Sequence, residues 1–396
     1  MRMYRFFGLA GLLFSSFTYV QAQVPVEEFK HYKVYFEKGR YAGWPANTGI
    51  WSWGNEILTG FSIGYHKQTE GSLHYIDREK TEIHVLARSE DGGETWSIED
   101  PAKDGNLVFQ TEFGTQRTDV PVPKAKKLTK SINFKDPKLA MAVRFGGKKE
   151  KKSYFWFSND KGSKWQGPFE LPDFGMTGLE ARTEYLVDSE KECMLFLTAS
   201  KSDGREGQVI CVKTTDGGLN WSLVSRIGVE PKGFAIMPAA VRISKRELLV
   251  TIRNREDGKD FISSYYSRNN GRSWRQMENA VDDTGKGGSP PAMIRLHDGR
   301  ICLIYAYRSD PTTGKNGSIL AKLSSDNGKT WSKPYTLRND GGGRDIGYPK
   351  AVQRPDGSVV VVYYFTDMIT GPERYIASTV WAVPKPLKEI VNHTDF

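Results

Sequence analysis

One eight-residue pattern occurs five times in the chain, at 89–96, 158–165, 214–221, 267–274 and 324–331. Its first copy carries Ser89, Asp91, Gly93 and Trp96 at positions one, three, five and eight; its last carries Ser324, Asp326, Gly328 and Trp331. Thr214 replaces Ser in the third copy and Asn269 replaces Asp in the fourth. These residue types describe a hairpin corner. A side-chain oxygen at position three accepts backbone N–H groups ahead of it, Gly at position five supplies a positive φ, and Trp folds back beneath the turn. The last four copies start 53 to 57 residues apart. A fixed spacing of that size marks an array of one supersecondary unit.

Apolar segments joined by turn signals lie upstream of each corner. In the fifth unit, 291–296 and 301–307 flank Asp298-Gly299, a strong hairpin signal between strand-forming runs. Segment 318–323 leads into the corner, and a fourth strand follows it. Four antiparallel strands per unit are the blade of a β-propeller. Units open near Gly43, Asp136, Ala181, Ile236, Pro291 and Tyr348. The expected fold is therefore all-β, a six-bladed β-propeller of four-stranded antiparallel blades occupying 23–396 as a single domain. Segment 31–36 is free to become the outermost strand of the last blade, which closes the ring and removes an exposed sheet edge.

Arg2 and Arg5 precede an apolar run over 6–20 that ends in Val20-Gln21-Ala22. That order reads as a secretory signal over 1–22, so the mature chain is expected to begin near Gln23 and to be secreted or periplasmic. No later stretch of about 20 apolar residues suits a membrane span. Three cysteines are too few for a disulfide scaffold, although Cys193 and Cys211 fall in one repeat, where they can face one another. No metal-type ligand spacing occurs, and no cofactor is expected. The net charge of +9, much of it in 124–127 and 148–152, suits an anionic partner, and nucleic-acid motifs are lacking. A monomer is expected.

The corners, their spacing and the four-stranded units resemble the sialidase (neuraminidase) superfamily, whose propellers carry such Asp-box, or BNR, turns on the blade rims. The resemblance covers about 43–381. It implies an active site where the first strands of the blades meet. The family's first-blade Arg-Ile-Pro grips a substrate carboxylate; the matching place here reads Gly43-Trp44-Pro45, without the arginine. The family's acid/base Asp is matched by Asp77, twelve residues before Ser89. Its Tyr nucleophile is matched by Tyr348 in Asp345-Ile346-Gly347-Tyr348-Pro349. A phenol suits a reacting carbon that bears a carboxylate, because an anionic nucleophile would be repelled. Arg253 matches a second carboxylate-binding arginine. The place of the Glu that activates the tyrosine falls near Met237-Pro238-Ala239, which has no acid, so Glu184 in the preceding blade is the substitute.

Arg182, Arg308 and Arg344 also lie near inner-strand ends, and guanidinium forks bind carboxylates bidentately. Trp44, Trp51 and Trp53 add aromatic surface for sugar stacking, and His66 and His74 are candidate proton-transfer groups. Three functions follow. The first is an exo-acting glycoside hydrolase on a terminal acidic sugar, using Tyr348 as nucleophile, Asp77 as acid/base and Arg253, Arg308 and Arg344 to hold the carboxylate. The second is a lyase on uronic-acid chains, using His74 or His66 with Tyr348. The third is a carbohydrate-binding propeller without chemistry.

Overall fold

The corners close by one set of bonds. The hydroxyl at position one accepts the N–H of the position-five glycine: Ser89 from Gly93 (2.7 Å), Ser158 from Gly162 (2.9 Å), Thr214 from Gly218 (2.9 Å), Ser267 from Gly271 (2.9 Å) and Ser324 from Gly328 (2.8 Å). The same hydroxyl donates to the side chain at position three, which in turn accepts the N–H of position seven, as in Ser324–Asp326 (2.8 Å) and Thr330–Asp326 (2.9 Å). Asp91 is held down to about 2; burial opposes ionisation, but the Thr95 and Ser89 donors outweigh it. Glycine at position five answers a second demand as well. A Cβ there would overlap Val360 at Gly93, Leu58 at Gly162 and Leu249 at Gly328, each a side chain of the preceding blade. The corner is therefore also the joint between neighbouring blades.

The structure, a computed structural model, describes residues 29–72, 74–147, 150–309 and 315–386, and Phe29–Val383 forms one unit. The expected signal segment lies outside the described residues. Six sheets surround the hub, antiparallel throughout except where Thr115–Gln116 adds a short parallel pairing to Thr81–Ser89. Blade III runs Tyr185–Val187, Cys193–Ser200, Glu206–Thr214 and Ser222–Ile227; blade IV runs Phe234–Arg242, Leu248–Glu256, Lys259–Ser267 and Arg275–Gln276. Blade V runs Ala292–Arg295, Ile301–Tyr307, Gly317–Ser324 and Tyr335–Gly341. Blade VI takes Gly347–Gln353, Val359–Phe365 and Tyr375–Trp381, and its fourth strand is Phe29–Tyr35 from the start of the described chain. The ring is closed as the free segment suggested. Middle strands such as Val359–Phe365 are buried along their whole length, because blades pack on both faces.

Two expectations need correction. Segment 136–141 does not open blade II. Ala140–Phe145 pairs with Ser153–Ser158, which pairs with Gln166–Glu170, so the described ladder has three strands and begins at the second. The connection before it is rich in lysine and carries Pro121, Pro123 and Pro137, which cannot donate to a ladder. Cys193 and Cys211 are both buried and free. Cys193 lies opposite Thr214 and Cys211 opposite Phe196, so the hairpin register separates them. Among the described residues no helix is long and apolar enough to cross a membrane.

Gly328→Ala is expected to cost roughly 2–4 kcal/mol, from a side chain at φ +81° and from the overlap with Leu249. Gly357→Ala, at φ +89° with open space around it, should cost only the backbone share, about 1–2 kcal/mol. Urea unfolding midpoints of the two variants check the difference; equal losses would mean that the glycine serves the turn alone.

Candidate active site

Three inner strands reach the hub through the same irregularity. Trp44, Met237 and Tyr348 each precede a proline and each take a left-handed backbone, at φ +63°, +52° and +50°. Bulky residues avoid that region, and such outliers cost about 1–3 kcal/mol each. The pairing gives way at the same points. Register shifts fall between Ile236 and Ala239 and between Gly347 and Lys350, and the first blade's inner strand is interrupted by the short helix Pro45–Thr48. Each break turns its side chain into one shared apolar cluster. Ser289 accepts the Tyr348 N–H (3.3 Å) and so helps to fix the strained residue.

Cations surround the Tyr348 ring. Arg253 Nη1 donates to the Tyr348 hydroxyl (3.1 Å), and its Cζ lies 5.8 Å from the ring centroid. Arg308 Cζ lies 5.5 Å from the same centroid, while its Nη2 donates to the Tyr364 hydroxyl (2.7 Å) and its Nε to the Ile346 carbonyl (3.1 Å). Arg253 also donates to the carbonyl of Gly287, whose loop runs Gly285-Lys286-Gly287-Gly288 with positive φ at all three glycines. Glycine suits that backbone, and at Gly285 a Cβ would also collide with the Arg308 carbonyl (1.9 Å). Arg182 approaches from blade III. It is held by Glu206 (2.8 Å), the Glu180 carbonyl (2.8 Å) and Asn47 (3.2 Å), and is within electrostatic reach of Tyr348.

Asp345 ties the cluster together. It is 1% exposed and accepts from the Tyr364 hydroxyl (2.6 Å), the Tyr41 hydroxyl (3.0 Å) and His74 Nδ1 (2.7 Å), with Arg374 Nε 3.5 Å away. Burial alone would raise its pKa, but His74, Arg374 and Arg308 hold it well below the usual carboxylate range. A carboxylate only accepts, so Nδ1 of His74 carries the proton and Nε2 is the atom left to exchange one with a ligand. The imidazole stands edge-on to Trp44 (5.1 Å) and Phe113 (5.0 Å).

The structure thus brings together Tyr348, Arg253, Arg308, Arg182, His74 and Trp44. Trp44 differs in character from the expectation. It is 1% exposed and packed between Tyr41 and Phe113 (5.0 and 4.7 Å), so it walls the site instead of offering a face to a sugar. Trp51 is likewise buried, against Trp165 (5.4 Å). Asp77, three residues beyond His74, is taken up by Lys67 Nζ (3.3 Å) and the Glu79 N–H (3.1 Å). Glu184 pairs with Lys350 Nζ (2.8 Å), accepts the Ala240 N–H (2.8 Å) and lines a hub cavity of about 200 Å³ with Thr183, Met293 and Ala351. Among the described residues neither carboxylate is hydrogen-bonded to Tyr348. Arg344 lines a separate pocket beside the cluster. Sequence reasoning assigned no role to Asp345, Tyr364, Tyr41 or Arg374, although Asp345 stands three residues before Tyr348.

Residues 137–361 match the family described as the BNR repeat-like domain. The chain belongs to this family. Among solved structures, the BNR repeat-like chain is similar to a protein of unknown function from Dyadobacter fermentans, with a TM-score of 0.68 and 20% identity over 91% of this chain and 100% of that one. It is similar also to the NanB sialidase of Streptococcus pneumoniae (TM-score 0.55, 13% identity, 88% of this chain and 70% of that one). The α-L-arabinofuranosidase Arb93A of Fusarium graminearum is a third (TM-score 0.56, 13% identity, 91% and 98%). These likenesses are to the six-bladed fold. No curated protein matches the sequence.

In this BNR repeat-like propeller the Arg182 side of the hub carries a carboxyl pair. Burial, and then the neighbouring Glu206, pushes Glu180 up to about 8. Glu180 therefore keeps its proton in the folded protein while an unfolded chain has lost it, so stability falls as pH rises from about 4.3 to about 8 and levels off above that. Glu180→Gln is expected to remove this contribution. Its melting temperature should fall a few degrees less than that of the unmodified protein between pH 5 and pH 8. Parallel melting curves for the two proteins would show that the pair does not share a proton.

Proposed function

We propose that the chain is a glycoside hydrolase that removes a terminal, carboxylate-bearing sugar at the hub. The observation that carries this reading is the convergence of Arg253 and Arg308 on Tyr348, with Arg182 alongside. Guanidinium groups buried at the hub attract an anion far more than the same charges in water would. The Tyr348 hydroxyl beside them is an uncharged nucleophile, which a neighbouring carboxylate does not repel. Tyr348 Oη attacks the anomeric carbon as the glycosidic C–O bond breaks, and its phenol proton passes to water. His74 Nε2–H gives its proton to the departing oxygen, and Asp345 supports the imidazolium from the other side. His74 then takes a proton from the water that attacks the glycosyl–tyrosine bond, and the electron pair returns to Tyr348 Oη, where a proton from water restores the hydroxyl beside Arg253.

His74 is preferred to Asp77 as the acid because of what surrounds each. The Glu79 N–H, followed by Lys67, keeps Asp77 below its ordinary pKa, and a carboxylate so held is a poor proton donor. A lyase is the second reading. It is favoured by the His74–Asp345 pair and by the lack of a hydrogen-bonded carboxylate at Tyr348 among the described residues.

Release of free sugar from a panel of sialosides and uronic-acid glycans tests the hydrolase. Tyr348→Phe should lower kcat by at least about a thousandfold. His74→Ala should lower it by about a hundredfold or more on natural linkages, while Asp77→Asn stays within about threefold. A large loss in Asp77→Asn with an active His74→Ala would return the acid role to Asp77. Products that absorb in the near ultraviolet, without a gain in water, would establish the lyase.

A further inference from the structure

Two loops meet beside the hub, and each sends neighbouring residues to different sides. In one, His74 bonds Asp345 within the cluster while Tyr75 lines a pocket of about 390 Å³ outside it. In the other, the Asp345 carboxylate faces the cluster while Arg344 lines that same pocket. The Arg344–Asp345 backbone is thus a shared wall. Thr366, Met368 and Arg374 also line the pocket. Arg374 lies over the Tyr75 ring (4.9 Å) and donates to the Asp345 and Pro372 carbonyls, which fixes that wall in place. Of the residues lining the pocket, Met368 is 90% exposed. Two acids line the pocket: Asp345 is held by its donors in the hub cluster, and Asp367 is occupied by Arg338 and Tyr375 and by the Ile369 and Thr370 N–H groups. Their charges are spent within the fold, whereas Arg344 adds a guanidinium to the lining.

We infer that this pocket is a second sugar subsite, which holds the carboxylate-bearing unit next to the terminal sugar in an acidic oligosaccharide, with Arg344 as its anion contact. The inference rests on the hub reading above, since the sugar in the pocket is the leaving side of the bond cleaved at Tyr348. His74 stands at the boundary of the two compartments, where the departing oxygen needs a proton. Met368 offers an apolar edge to the sugar's C–H face.

The test is titration calorimetry on Tyr348→Phe protein with two pairs of probes: galacturonate and α-1,4-trigalacturonate, and N-acetylneuraminate and its α-2,8 dimer. In at least one pair the oligomer should bind at least about tenfold more tightly than its monomer. Adding Arg344→Ala should erase that gain, with the monomer's affinity and the melting temperature unchanged. Oligomers that bind no better than monomers in both pairs overturn the subsite, as does an equal loss for monomer and oligomer on Arg344→Ala. Failure of all four probes to bind also overturns it. A monomer that does not bind, with an oligomer that does and weakens on Arg344→Ala, keeps the pocket and instead sinks the hub reading.

Discussion

A buried carboxylate is tolerable only where enough donors replace the water it has lost, and Asp345 meets that condition by drawing on both sides of the ring closure. Tyr41, on strand Arg40–Gly43, and His74, in the loop after strand Glu56–Tyr65, come from the first blade, and Tyr364 and Arg374 from blade VI. The Ala42 N–H bonds the Arg374 carbonyl (2.8 Å) across the same seam, a short way from where Phe29–Tyr35 completes the last blade. The group that orients His74 is therefore also a fastening between the first and last blades. Loss of the Asp345 charge would strand several buried polar groups together, so the chemistry of the site and the closure of the ring are physically coupled.

The three left-handed residues before proline divide the hub into unlike halves. Trp44 and Met237 bring apolar side chains to their breaks, and Tyr348 brings a hydroxyl to the third. These are also the places where the superfamily resemblance led one to look for an arginine, an activating glutamate and a nucleophile. Two of the three polar groups are replaced by hydrophobic ones while the backbone irregularity is kept. Arg182, Arg253 and Arg308 hold the other half. An anion there meets guanidinium groups backed by low-dielectric packing, which strengthens attraction and leaves little room for water.

Particular residues show where sequence reasoning reached and where it stopped. The corners were legible because their bonds run between residues two to four apart, as with Ser324, Asp326 and Gly328. Tyr348 and Arg253 were legible through their place relative to the corners and hairpins. His74 and Asp77 were not separable, since both stand in one loop and only the fold decides that one meets Asp345 and the other Lys67. Blade II misled for a related reason. Residues 136–141 look like an opening strand, yet the pairing that makes Ala140–Phe145 a second strand is a long-range fact.

The sequence by itself determined the number of blades, the shape of their corners and the need for glycine in each, because those follow from local hydrogen bonds, backbone conformation and a repeated spacing. Tertiary structure alone decided which charged groups face one another at the hub. The His74–Asp345 bond joins residues 271 positions apart, and Arg253–Tyr348 joins residues 95 apart. Such pairings depend on how six blades are rotated about a common axis, and no local pattern encodes that rotation.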